Sequence, residues 1–243
     1  MKNLLVLHTI REKLPKHFED VSAAILMEIL SNQKYRFSTL DQISECAGEQ
    51  LQVGLTFDDG NSSDYYLVLP ALQKNFARAT FFIVTRWLNR PGFLTSEQVR
   101  ELHRAGMQIG SHSVSHPDFR KLSTTEQCRE LDESRKTLED LTGSAISAFA
   151  FPYGFKNKAA IDAVMAAGYK YCCASDHGVV SSAARVMPRN SIHSGMSCAA
   201  VRRVLEAGWS TRLAWKLEDN GKAAMKSSFP RVYPTIRALL VRK

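Results

Sequence analysis

Two acids stand side by side at Asp58-Asp59, directly after the apolar run at residues 53–57 and before Gly60. Such a run predicts a strand that delivers both carboxylates to its C-terminal end, where α/β folds hold their sites. Asp-Gly is also a common turn dipeptide, so the pair alone admits a plain turn. His112 and His116 follow another apolar stretch, and two imidazoles four residues apart can converge on one ion from a helical turn or a tight loop. One carboxylate with two imidazoles leaves positions open on a metal, and the spare carboxylate can then serve as a base. A third segment, Phe149-Ala150-Phe151-Pro152-Tyr153-Gly154, ends a further apolar run. Its proline and glycine predict an irregular turn that is either an ordinary strand-to-helix loop or one whose backbone N–H groups face a reacting oxygen.

Elements able to position these groups alternate along the chain. Apolar runs at 4–7, 53–57, 80–84, 107–109, 148–151 and 169–174 read as strands, and segments of helical period separate them. Thr95-Ser96-Glu97-Gln98 and Ser123-Thr124-Thr125-Glu126 have the form of capping boxes opening helices that stop near Gly106 and Gly143. A third helix is expected over 157–167, and one apolar face (Val21, Ile25, Leu26, Ile29) predicts a helix over 18–30. Repeated strand-then-helix order is the signature of an α/β fold with a mainly parallel sheet. Neither a repeat nor a Pro/Gly-rich linker divides the chain, so one domain over 1–210 is expected, with 211–243 as a basic extension packed on it.

Composition sets the outer bounds. The 243 residues are 44% hydrophobic, enough for a sizeable core, which argues against disorder. Residues 3–7 are too few for the apolar segment of a secretory leader before His8 and Arg11 interrupt, so a cytoplasmic protein is expected. The five cysteines include no Cys-x-x-Cys pair and read as small buried hydrophobes. The net charge of +8 is uneven: from Arg185 onward there are 12 Lys/Arg against 3 Asp/Glu. A basic end of this kind suggests an anionic surface or ligand met there.

Thr56-Phe57-Asp58-Asp59-Gly60, His112-Ser113-Val114-Ser115-His116 and Phe149-Ala150-Phe151-Pro152-Tyr153-Gly154, in this order, resemble the first three motifs of the polysaccharide deacetylases of carbohydrate esterase family 4. The likeness covers about residues 50–180, and Leu5-Val6-Leu7-His8 with Phe37-Ser38-Thr39-Leu40 resembles members from exopolysaccharide clusters. It implies a distorted (β/α) barrel of about seven parallel strands, one divalent metal ion, usually Zn2+, and removal of N-acetyl groups from amino sugars in a glycan or lipid-linked glycan. Carried over by position, Asp58 would be the general base, Asp59, His112 and His116 the metal ligands, and Tyr153 the backbone donor to an oxyanion. His8, Phe151, Pro152 and Tyr153 would line the substrate pocket.

This chain departs from the pattern in two places. Many members carry an arginine in the third motif that pairs with the base; here that role is empty, and Arg189 is the candidate to fill it. The late motif supplies a histidine as general acid, and Ile192-His193 is its match, a loop histidine being the plainer reading. Asp176 and His177 belong to a rim or a plain turn, and His17 and His103 to helix surfaces. Two other functions stay open. Relatives on the same fold hydrolyse another C–N bond, of the cyclic amide type, though some of those lack the metal set that is intact here. A basic nucleic-acid binder is the third, and no nucleic-acid motif supports it. From Trp209 on, large apolar residues interleave with Arg and Lys; this mixture either packs on the barrel or lies peripherally at an anionic membrane surface, such as the inner face of the cell membrane.

Overall fold

A computed structural model describes residues 2–13, 15–45, 51–181 and 184–228. The elements run β1 (Lys2–Leu7), β2 (Ile10–Arg11), β3 (Val21–Ser22), α1 (Ala23–Leu30), β4 (Arg36–Phe37), α2 (Leu40–Glu45) and β5 (Gln52–Phe57). A π-helical turn over Asp64–Val68 leads into α3 (Leu69–Lys74), then β6 (Ala79–Ile83), α4 (Ser96–Arg104), β7 (Gln108–Ser111), α5 (Thr124–Thr142) and β8 (Ala148–Ala150). The chain continues through α6 (Lys158–Ala166), β9 (Tyr171–Cys173), β10 (Val186–Met187), β11 (Asn190–Ser191), α7 (Cys198–Glu206) and α8 (Trp209–Ser228).

The main sheet has the order β10-β9-β8-β7-β6-β5-β1-β11, with β4 also on β5, and every pairing is parallel. Its two edges belong to one stretch of chain. Residues 186–187 pair with β9 and residues 190–191 with β1, the break falling at Pro188 and Arg189. The curled parallel sheet, with helices around it, is the distorted (β/α) barrel expected from the sequence. The two short closing strands were not legible, because Pro188 cannot donate to a ladder and splits them into pairs of residues.

Side chains alternate across the strands and divide the core in two. Leu5, Leu7, Phe57, Phe81, Ile83, Phe149 and Cys172 join the helices in the larger cluster. Leu4, Phe82, Ala148, Ala150, Cys173 and Met187 form the smaller one with Leu40 and Ile43 of α2. Glycines make room on that inner face: a Cβ at Gly110 would lie 2.6 Å from the Phe82 ring, and one at Gly54 2.4 Å from Leu4. By the same alternation Thr56, Asp58, His112 and Arg189 follow onto the inner face.

Both expected capping boxes are formed, at Thr95/Gln98 and Ser123/Glu126, and α5 ends at Gly143 with φ 67°. The helix expected over 18–30 starts only at Ala23. Val21–Ser22 pairs with Ile10–Arg11, Ser22 caps the helix by accepting from the Ile25 N–H, and the Asp20 carboxylate gathers the Arg11 side chain with the Lys16 and His17 N–H groups. The cysteine reading needs correcting too. Cys172 and Cys173 are buried, but Cys128 and Cys198 are exposed on helices, and Cys46 lies outside the described residues. The expected division at 210/211 falls in the first turn of α8, and residues 229–243 lie outside the described residues.

Candidate metal centre and its surroundings

The strand ends bring Asp58, Asp59, His112, His116, Tyr153 and Arg189 together at the C-terminal mouth of the barrel. Asp58 is buried on the inner face after β5, its backbone N–H donating to the Leu7 carbonyl at 3.0 Å. Asp59 takes φ 77°, a left-handed conformation that costs a non-glycine residue about 1–3 kcal/mol and is kept where the surroundings enforce it. The reversal lets two consecutive carboxylates serve one site.

His112 follows β7, and its Nδ1 lies 2.8 Å from the Ala150 carbonyl. A carbonyl only accepts, so Nδ1 carries the proton and Nε2 is left with a lone pair facing the site. The loop to His116 has positive φ at Ser113 (70°) and His116 (62°). Glu130 of α5 holds this loop, accepting from the Val114 and Ser115 N–H groups at 2.9 and 2.8 Å and from Ser115 Oγ at 2.6 Å, while Ser113 Oγ accepts from the His116 N–H at 2.9 Å.

Asp59, His112 and His116 each offer an atom, all within 4.8 Å of one another, and the two Nε2 atoms stand 3.7 and 3.6 Å from Asp59 Oδ1. Ligands about 2.1 Å from a tetrahedral ion are about 3.4 Å apart, so the set fits a single divalent cation. The electrostatics agree. Burial, with His112 beside it, holds the His116 imidazolium down to about 3, so the ring is neutral and able to ligate. Burial pushes the Asp59 carboxyl up, opposed by His8 and His112, and its Oδ1 is buried without a hydrogen-bond partner. Two imidazoles and a carboxylate form a donor set that suits a divalent transition-metal ion, zinc among several.

Arg189 has no exposed surface. It donates from Nη1 to Asp58 Oδ1 at 2.6 Å and from Nη2 to Oδ2 at 2.8 Å, with further bonds from Nη1 to Thr56 Oγ1 and from Nε to the Ala174 carbonyl. Burial alone would raise the Asp58 carboxyl, but Arg189 and His112 outweigh it and bring it to about 2. Asp58 is therefore an ionised, fixed carboxylate whose Oδ2 lies 3.9 Å from His112 Nε2.

Tyr153 has φ 59°, is 53% exposed, and sets its ring 4.5 Å from that of His116. Trp87 also lies near this ligand, 5.2 Å from His116 and 4.9 Å from Phe93, so two aromatic rings stand beside His116. Pro152 is buried in the turn. Phe151 corrects the sequence reading: it has no exposed surface and packs on Phe119 and Phe149, because alternation sends residue 151 to the helix side of the sheet. His8 is half-buried, with Nδ1 buried and unpartnered. His193 stacks on Phe18 at 4.3 Å; burial lowers its pKa, and Glu218 of α8 opposes that.

The remaining histidines and acids divide between rim and surface. Asp176 pairs with Lys156, and His177 stacks on Trp215 and meets Asp219 at 3.1 Å, joining the loop after β9 to α8. His17 is exposed, and His103 meets Ser144 Oγ at 3.1 Å. Reading the sequence missed Glu130, Trp87 and Asp64. Asp64 is fully buried with neither carboxyl oxygen hydrogen-bonded, and burial together with Asp59 raises it well above the ordinary carboxylate value. A third acid six positions after Asp58 was the available signal.

Comparison with known proteins matches the stretch of chain that carries the three motifs. A family model described as polysaccharide deacetylase matches residues 47–172, a little over half of the chain. The peptidoglycan-N-acetylglucosamine deacetylase PgdA of Listeria monocytogenes is 38% identical over 109 residues, covering 44% of this chain and 22% of that protein. The chain spans between 22% and 56% of the length of such curated relatives. Among solved structures, the Streptococcus pyogenes deacetylase PplD, in complex with acetate, aligns with a TM-score of 0.77 at 24% identity over 84% of this chain and 97% of that one. A de-N-acetylase from Aggregatibacter actinomycetemcomitans aligns with a TM-score of 0.76 at 20% identity, over 84% and 99%. At these identities the structural likeness establishes the fold.

Proposed function

The chain belongs to the polysaccharide deacetylase family, and on that premise we propose that it is a metal-dependent hydrolase removing N-acetyl groups from an amino sugar within a glycan or a lipid-linked glycan. The observation that carries this reading is the division of labour between adjacent carboxylates: Asp59 Oδ1 stands with two imidazole nitrogens in ligand geometry, while Asp58 is held beside them by Arg189. The ion we propose is Zn2+, which imidazole and carboxylate ligands suit.

An amide carbonyl is a poor electrophile and water a poor nucleophile at neutral pH. Asp59, His112 and His116 would hold a divalent ion, whose Lewis acidity would polarise the carbonyl and raise the acidity of water. Asp58 then takes the proton of the attacking water at Oδ2. A carboxylate with a pKa near 2 is a weak base, so it acts only on water made more acidic and positioned beside it. The backbone N–H of Tyr153 donates to the tetrahedral oxyanion. His193, held against Phe18, protonates the departing amine. Trp87 and Tyr153 present flat apolar faces of the kind that sugar rings stack against.

Incubating the zinc-loaded protein with N-acetylated monosaccharides, oligosaccharides and lipid-linked sugars, while free acetate is measured, tests the proposal. Release from at least one amino sugar is expected. No release from any of them would reject it.

A further inference from the structure

The sequence left the basic, aromatic-rich end open between packing on the barrel and lying at a membrane; helix α8 packs through one face and leaves another exposed. Trp215 is buried and stacks on His177 at 5.7 Å with the rings 5° from parallel, and Asp219, one turn on, meets His177 Nδ1 at 3.1 Å. These two residues fix the helix to the loop after β9. Trp209, Leu213 and Leu217 follow one another at four-residue spacing and so line a different face. They are 75%, 49% and 65% exposed.

The charges on α8 are sorted in the same way. Arg212 and Lys216 are exposed and immediately precede Leu213 and Leu217, which puts them along one border of the apolar stripe. At 100° per residue, Glu218 falls about 100° beyond Leu217 and away from that border, and Asp219 is engaged by His177. The stripe is therefore bordered by positive charge, within the part of the chain that holds 12 Lys/Arg against 3 Asp/Glu.

We propose that this face of α8 docks on an anionic lipid bilayer, lying in the interface plane with Trp209, Leu213 and Leu217 at the headgroup–acyl boundary and Arg212 and Lys216 on lipid phosphates. Two features of the helix match that occupant. Tryptophan is at home at the headgroup layer, and basic residues beside an apolar stripe suit an anionic leaflet. No helix among the described residues is long and apolar enough to cross one. The inward face of α8 engages His177, next to Asp176, whose partner Lys156 follows the Tyr153 turn. Docking through the outer face would thus hold the mouth of the barrel in a fixed relation to the bilayer.

The test is co-sedimentation of the full chain with vesicles of phosphatidylcholine alone or mixed with phosphatidylglycerol, at low and high salt. Two variants, Leu213→Ser/Leu217→Ser and Arg212→Gln/Lys216→Gln, are compared with the parent, and thermal unfolding of each checks that the fold survives. Binding to the anionic vesicles alone is expected, lost at high salt, weakened about fivefold for each charge removed, and weakened also by the serine pair. Equal binding to both lipids, or unchanged binding by both folded variants, would overturn the proposal. So would light scattering that finds a dimer which the serine pair converts to a monomer, because the stripe would then be covered by a second copy of the chain.

Discussion

Arg189 meets Asp58 with both ends of its guanidinium, Nη1 to Oδ1 at 2.6 Å and Nη2 to Oδ2 at 2.8 Å, across 131 positions of sequence. Both side chains are buried, so neither charge has water as an alternative partner. Removing one partner of such a pair leaves the other uncompensated and costs about 3–5 kcal/mol. Arg189→Met should lower unfolding stability by about that much. Adding Asp58→Asn to it should restore a large part, since the stranded charge is then gone. Urea unfolding of the single and double variants checks this; a double variant no more stable than Arg189→Met would mean that the pair is not what holds this part of the fold.

Asp58→Asn alone separates base from ligand. With the three ligand atoms untouched, metal content by elemental analysis should stay near that of the parent, and turnover should fall by roughly 10²-fold or more. Loss of the metal would place Asp58 among the ligands instead. Near-normal turnover would mean that the water's proton goes elsewhere.

Asp64 offers a prediction about pH. Its carboxyl, raised by burial and by Asp59, holds its proton in the folded state to a higher pH than the roughly 3.9 of an unfolded chain. The folded state binds more protons over that interval, so stability falls as pH rises through it. Asp64→Asn cannot lose a proton, and its stability relative to the parent should improve as pH climbs from about 4 toward neutral. Unfolding midpoints compared across that range would show parallel curves if Asp64 titrates normally.

His193 stacks on Phe18, and its Nδ1 accepts from the Gly195 N–H at 3.3 Å. His193→Ala should leave metal content unchanged, depress turnover by roughly 10²- to 10⁴-fold, and alter the basic limb of the pH–rate profile. A profile with the same basic limb would return His193 to the role of a loop histidine.

The strand-end residues were legible because two simple regularities converge on them. Apolar runs fixed the strands, and period-two alternation then sends Asp58 and His112 to one face at one end of the barrel. What the sequence did not reveal depends on contacts between distant segments. Glu130 reads as one polar residue of an amphipathic helix, and only the packed structure brings it to the Val114 and Ser115 N–H groups. Phe151 belongs to a motif that reads as a pocket, yet its ring is on the helix side of the sheet. The strand at 21–22 was hidden by the helical period of the residues after it, and the exposure of Cys128 and Cys198 by the usual preference of cysteine for interiors.

Acetate release from an N-acetylated amino-sugar oligosaccharide, by protein as purified, after chelation and after zinc is restored, tests the central claim most directly. We expect release that is abolished by removal of the metal and recovered on reloading, with Asp59→Ala and His116→Ala failing to recover it. Release that continues undiminished in protein verified to be metal-free would contradict a metal held by Asp59, His112 and His116 as the centre of the reaction.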